Sequence, residues 1–147
     1  MLNIKLKKFT DLSLEDLYDI LQLRSEVFVV EQDCVYQDID RKDQKALHVL
    51  GYEADNLVAY TRIFKPGDYF ERASIGRVVV RKNARQHRYG YDIMTASITA
   101  VETYYNETEI KISAQAYLKR FYNSLGFSEA GEGYLEDGIP HFAMFKN

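Results

Sequence analysis

Val78, Val79 and Val80 lead into Arg81, Lys82, Asn83, Ala84, Arg85, Gln86, His87, Arg88, Tyr89 and Gly90, so four cations stand between a β-branched run and the onset of helical spacing. A helix start leaves its first backbone N–H groups without partners and carries the positive end of the helix dipole, so anions collect there. Arg81, Lys82, Arg85 and Arg88 added to such a start favour a polyphosphate over a single carboxylate. The segment therefore predicts a phosphorylated ligand, against the plainer reading of a solvated basic turn. A second charged stretch has the opposite sign. Glu26, Glu31, Asp33, Asp38, Asp40 and Asp43 face only Arg41 and Lys42, which either draws a cation or is a solvated loop whose acids cap turns. The three histidines and one cysteine lie without ligand spacing, so no metal is expected. Cys34 has no base beside it in sequence and reads as a small buried thiol, not an acyl-carrying nucleophile.

These groups need a scaffold. Length and composition, 147 residues with 46% hydrophobic, two prolines and a net charge of -3, fit one domain spanning 1–147 with no linker or repeat. A single cysteine forms no internal disulfide, and Met1 to Phe9 lacks the apolar run that export needs, so a cytoplasmic protein is expected, off the membrane. Leu2 to Phe9 alternates as a half-buried strand. Ser13 and Asp16 form a capping box with Leu12 and Leu17 as its staple, and Leu17, Ile20, Leu21, Val27 and Phe28 give the helix that follows its apolar face. Leu47 to Glu53 and Leu57 to Phe64 read as paired strands, and Ser74 to Val80 as another. A helix runs on from Gly90 through Met94, Ile98, Val101 and Tyr105. Glu109 to Ser113 is a short strand, Gln115 to Leu125 a helix stopped by Gly126, and Asp137-Gly138 a tight hairpin turn before a last strand through His141. Mixed hairpins and crossovers predict an α/β (α+β) domain, three-layered around a mixed sheet.

The turn at Arg85 to Gly90 resembles the signature of the GCN5-related N-acetyltransferase (GNAT) superfamily, Gln or Arg, two residues, Gly, one residue, Gly or Ala, with Arg88 where the first glycine stands. Tyr122-x-x-x-Gly126-Phe127 resembles the superfamily's helix end, and Gln115 takes the place of an asparagine seven residues before the tyrosine. Leu23 to Tyr36, with Asp38, Asp40, Asp43 and His48, Ile75 to Val78, and Leu135 to His141 are similar to the ElaA subfamily. The resemblance implies an α/β/α fold around a mostly antiparallel sheet and an acetyltransferase that uses acetyl-CoA and no metal.

It further implies that Val78, Val79 and Val80 splay from their neighbour and bind pantetheine through the backbone, and that Arg85, Gln86, His87, Arg88, Tyr89 and Gly90 cradle the pyrophosphate. Arg88 keeps its N–H contact if its φ is negative. Tyr122 would protonate the leaving thiolate, the alternative being a core aromatic. A primary amine attacking the thioester directly needs a base, for which Glu26, His48 and His141 are candidates, each against a structural reading as a buried or surface group. A non-catalytic acyl-CoA-binding or sensing domain is the competing function. Nucleic acid is not expected, since the chain is net acidic and its basic cluster is one turn; a homodimer is allowed.

Overall fold

Strand β1 (Asn3–Lys8) carries out the N-terminal alternation and pairs antiparallel with β2 (Leu47–Glu53), Ile4 opposite Gly51 and Leu6 opposite Val49. The computed structural model describes residues 1–147. Between these strands, α1 (Leu14–Arg24) begins at the expected box: Ser13 Oγ accepts from the Asp16 N–H at 3.0 Å, and Asp16 Oδ2 accepts from the Ser13 N–H at 3.0 Å. Such a cap contributes about 1 kcal/mol. Past Arg24 the helix widens into a π-helical segment, Ser25–Glu31. The wider winding continues in the bonds from the Gln32 N–H to Val27 O and from the Cys34 N–H to Val29 O, both 3.1 Å.

Strands β3 (Asn56–Phe64), β4 (Ala73–Val80), β5 (Ile110–Gln115), β6 (Ser128–Glu136) and β7 (Ile139–Lys146) complete a seven-stranded sheet in the order β1-β2-β3-β4-β5-β7-β6. Only β4 and β5 run parallel. The sheet is buried on both faces at its centre. Ile20, Leu23, Val27 and Phe28 from the first helix pack on Leu50, Leu57 and Tyr60 on one face. On the other, Tyr89, Ile93, Met94 and Val101 of α2 (Tyr89–Tyr105) and Tyr122 of α3 (Lys119–Ser124) pack on Val49, Ala59, Ile63 and Ile112. Three layers result, because each sheet face and each helix stripe must find an apolar partner. No helix is long and apolar enough to cross a membrane.

The expected helix from Gln115 to Leu125 is shorter. Gln115 is the last residue of β5, held extended opposite His141, and a 3-10 turn at Ala116–Leu118 precedes α3. Gly126 ends α3 with φ +96°, the left-handed region in which glycine has no Cβ penalty. The Phe127 N–H then reaches Tyr122 O at 3.1 Å and buries the Phe127 ring.

Candidate active site

Strands β4 and β5 touch only at their beginnings, Ala73 opposite Ile110 and Ser74 opposite Lys111. Beyond those pairs they diverge, and the edge Ile75 to Val80 with Ile112, Ser113 and Gln115 lines a cavity of about 520 Å³ between the two strands. A β-bulge opens the gap further. Tyr60 pairs Val79 and Arg62 pairs Gly76, so Arg77 and Val78 together oppose Thr61. Arg77 takes the left-handed conformation, φ 50°, that such an extra residue often needs. Val78, Val79 and Val80 thus all border the cavity, as the splayed strand requires.

At one end the cavity reaches the N-terminus of α2. Arg88 is its N-cap, with no side-chain cap for the first turn, so that turn's N–H groups are left for another acceptor. Its φ is 61° and ψ 30°, so the condition of a negative φ for the N–H contact is not met: arginine here adopts the geometry a glycine would take. The guanidinium swings out over the Tyr91 ring, 4.8 Å from its centroid. Gly90 is needed for a different reason. A Cβ there would stand 3.3 Å from Phe121 Cζ, so the helix could not approach α3 as closely.

The basic turn is less basic than its sequence. Arg85 grips Glu31 with both terminal nitrogens, at 2.5 and 2.7 Å, and donates through Nε to Val80 O at 3.1 Å. That grip holds the Glu31 carboxyl below its usual range. Arg81 Nε lies 3.4 Å from Glu26. The acids of the π-helical segment therefore offset two of the four cations, and the anion-attracting groups that remain are Lys82, Arg88 and the helix start. Gln86, His87 and Tyr89 do not border the cavity: Gln86 is exposed, His87 Nε2 lies 3.8 Å from Glu53, and the Tyr89 hydroxyl donates to Glu53 at 2.5 Å. Only their backbone is left to serve the helix start.

In the middle of the cavity stands Tyr122, carried by α3 and packed edge-on against Phe121 and Phe127. Burial pushes its phenol well above the ordinary value, so it stays protonated at neutral pH. Gln115 also borders the cavity, and its amide exchanges two hydrogen bonds with Gln32, at 3.1 and 3.2 Å. This pair ties the end of β5 to the end of the π-helical segment.

The opposite end is built by strand alternation. Ile112, Ala114 and Met144 join the core beneath α2 and α3, which turns Ser113, Gln115 and His141 to the face of α1. His141 is buried, its Nδ1–H donating to Ile139 O at 2.6 Å and its Nε2 lying 3.3 Å from Glu136 Oε2. Ser113 donates to Glu136 Oε1 at 3.1 Å and pairs with the Tyr134 hydroxyl, whose ring stacks on His141. Across from them, Cys34 donates its S–H to Asp137 O at 3.3 Å, in keeping with a buried thiol.

Of the three candidate bases, only His141 meets the cavity. Glu26 lies outside it, in a shallow surface depression with Gln22, Arg81, Lys82 and Asn83. His48 is wholly buried between Tyr60, whose hydroxyl approaches Nδ1 at 2.6 Å, and Asp43 O, 2.9 Å from Nε2. Both nitrogens are used, and burial holds its pKa below the ordinary histidine value.

The acidic stretch is a buried ion network. Arg24 donates to Asp38 at 2.9 Å and Asp43 at 2.8 Å; Arg62 donates to Asp43 at 2.9 Å and to both oxygens of Asp40 at 2.8 and 2.6 Å. Arg77 closes it, 2.7 Å from Asp38 and 3.4 Å from Asp40. Three acids meet three guanidiniums, so Asp38, Asp40 and Asp43 offer a cationic ligand no free charge. Asp38 also accepts from the Tyr36 hydroxyl at 2.9 Å, which fixes one wall of the cavity.

Sequence reasoning missed Arg77, Ser113, Tyr134 and the contact of Glu136 with His141. The hairpin register was the available signal: a turn at Asp137 and Gly138 sets Glu136 opposite Ile139 and Tyr134 opposite His141. No group of three or more His, Cys, Asp or Glu is arranged to hold a metal ion.

Comparison with known proteins gives the same architecture. The family described as "Acetyltransferase (GNAT) domain" matches residues 9–147. Protein ElaA of Escherichia coli is 44% identical over 137 residues, which is 92% of this chain and 90% of that protein. The crystal structure of Escherichia coli ElaA superposes with a TM-score of 0.93 at 40% identity over the whole of both chains. That of an acyl-CoA N-acyltransferase from Pseudomonas aeruginosa superposes with 0.94 at 39% identity, again over both whole chains.

Proposed function

The chain belongs to the GNAT acetyltransferase family, and from that premise we propose that it transfers an acetyl group from acetyl-CoA to a primary amine by direct attack. The observation that carries this reading is the divergence of β4 from β5, which leaves one cavity joining the uncapped start of α2, the protonated Tyr122 and the His141–Glu136 pair. A thiol arm with a diphosphate at one end fits that path. The α2 start, Lys82 and Arg88 would take the diphosphate, and the edge Val78 to Val80 the pantetheine amides.

On the far side, His141 receives the proton of the bound ammonium at Nε2, since Nδ1–H is committed to Ile139 O. Glu136 steadies the imidazolium so formed. The freed nitrogen attacks the thioester carbon, whose oxygen is polarised by a backbone N–H of the β4 edge. A C–N bond forms and the C–S bond breaks; Tyr122 gives its hydroxyl proton to the departing sulfur and is reprotonated through water by the second proton, which the new amide nitrogen sheds, while the His141 proton leaves to solvent. The balance is ammonium plus acetyl-CoA giving amide, CoA thiol and one proton.

The test begins with thermal unfolding in the presence of acetyl-CoA, with adenosine diphosphate as the control. Donor at a hundredfold excess over its Kd should add about 2.7 kcal/mol, a rise of roughly 5 to 10 °C. Thiol release with a panel of amines then tests turnover. A second reading, donor binding without transfer, draws support from the placing of the candidate bases, since Glu26 lies outside the cavity and His48 is buried away from it. It requires stabilisation by acetyl-CoA with no thiol release from any amine, and no effect of Tyr122→Phe.

A further inference from the structure

The acceptor end of the cavity has an asymmetry of charge. Arg77, Arg85 and Arg88 are the only cations bordering the whole cavity. Arg85 is gripped by Glu31, and Arg88 lies over Tyr91 at the α2 end. Arg77, the one on the α1 side, is held by Asp38 and Asp40 and carries the Tyr36 ring against its guanidinium. No free guanidinium or ammonium therefore faces the place where the amine would sit. The acids there are differently placed. Glu136 is held only by His141 and Ser113, and Asp137 lies in the hairpin turn beside it with no ion-pair partner. The rest of that wall is Val27, Phe28, Tyr36 and Ile139.

Resting on the transferase reading, we infer that the acceptor is a primary amine on an aliphatic or aromatic body that bears no carboxylate next to the amine: an alkyl- or arylalkylamine rather than an α-amino acid. The carboxylates at Glu136 and Asp137 attract the ammonium head. An α-carboxylate, only two bonds from the reacting nitrogen, is brought to the same place. It meets like charge and finds no free cation in return. The apolar wall receives the remainder of the molecule.

Matched acceptors decide the point. Phenethylamine, phenylalanine and phenylalaninamide share one side chain; the amide keeps the bulk of the carboxylate without its charge. With acetyl-CoA saturating, kcat/KM from thiol release, confirmed by mass of the acetylated product, should be about 30-fold higher for phenethylamine than for phenylalanine. The amide should fall close to phenethylamine. Tyramine with tyrosine and histamine with histidine should repeat the ratio. Phenylalanine within threefold of phenethylamine overturns the inference. So does an amide as poor as phenylalanine, because the exclusion is then steric. Ile139→Lys, which places a cation on that wall, should narrow the ratio at least threefold, and an unchanged ratio in the folded variant counts against the electrostatic cause. If acetyl-CoA stabilises the protein but no amine of the set releases thiol, the acceptor class is overturned, and silence across the broader amine panel as well removes the transferase reading. Loss of the ratio with turnover intact overturns the acceptor class alone.

Discussion

Asp43→Asn tests the ion network that holds the cavity wall. Asp43 Oδ1 accepts from Arg24 at 2.8 Å and from Arg62 at 2.9 Å, with the two arginines 0% and 1% exposed. Asparagine keeps an acceptor of the same shape but removes the charge, leaving three buried or half-buried guanidiniums against two carboxylates. Breaking a buried pair from one side costs 3 to 5 kcal/mol; because the acceptor survives, the expected loss is about 3 kcal/mol, or about 10 °C in Tm for a chain of this length. The acid limb follows. Burial pushes the Asp43 carboxyl up, but Arg24 and Arg62 outweigh it and hold it below its usual range; Asp40 is held low against its own burial by Arg62. A depressed carboxylate contributes stability above its unfolded pKa of ~3.9 and loses it as pH falls through the lower folded value. His48, kept neutral by burial, begins its own loss as pH falls below ~6.5 in both proteins. Urea unfolding of both proteins from pH 8 to pH 3 therefore shows a shallower acid slope for Asp43→Asn below about pH 4. A loss under 1 kcal/mol at pH 7, or parallel slopes for the two proteins, would refute the reasoning.

Three other outcomes are expected. Tyr122→Phe should lower kcat by about 10- to 100-fold with the acetyl-CoA KM little changed, as single-turnover and steady-state kinetics can separate, since it removes a proton donor and keeps the ring. His141→Gln should lower kcat/KM by at least about 100-fold, while Tm moves by less than for Asp43→Asn; an unchanged kcat/KM rules out His141 as the base. Arg88→Gly relieves a left-handed residue worth roughly 1 kcal/mol but loses the Tyr91 contact and gains chain entropy in the unfolded state, so its Tm should shift by under about 3 °C. Calorimetry should find acetyl-CoA binding retained but weakened by about threefold to tenfold, because the α2 start keeps a backbone conformation that glycine prefers while the Arg88 charge is lost.

Much of the scaffold is written locally in the chain. Ser13 and Asp16 cap a helix because their partners lie three residues away; Gly126 stops one because only the next turn is involved; Asp137 and Gly138, with φ 51° and 78°, turn a hairpin because both suit the left-handed region. Strand alternation set most of the sheet for the same reason, since one residue's neighbours decide which face it takes. Gln115 departs because pairing with His141, 26 positions on, outweighs the helical spacing that follows it.

The cavity's charges were decided elsewhere. Sequence presents a basic turn and an acidic loop as separate patches, yet Arg85 and Glu31 are 54 positions apart and Arg62 and Asp43 are 19 apart. Which cation meets which acid depends on how α1, its π-helical extension and β4 pack, a matter of long-range geometry that no local pattern encodes. The same holds for the bulge at Arg77 and the divergence of β4 from β5, which exist only once β3 and α2 fix the strands in register. The sequence by itself determined the elements, their order and the residue types available for chemistry; tertiary structure alone decided which charges were cancelled, which histidine reached the cavity, and where the chain left an unpaired strand edge for a ligand.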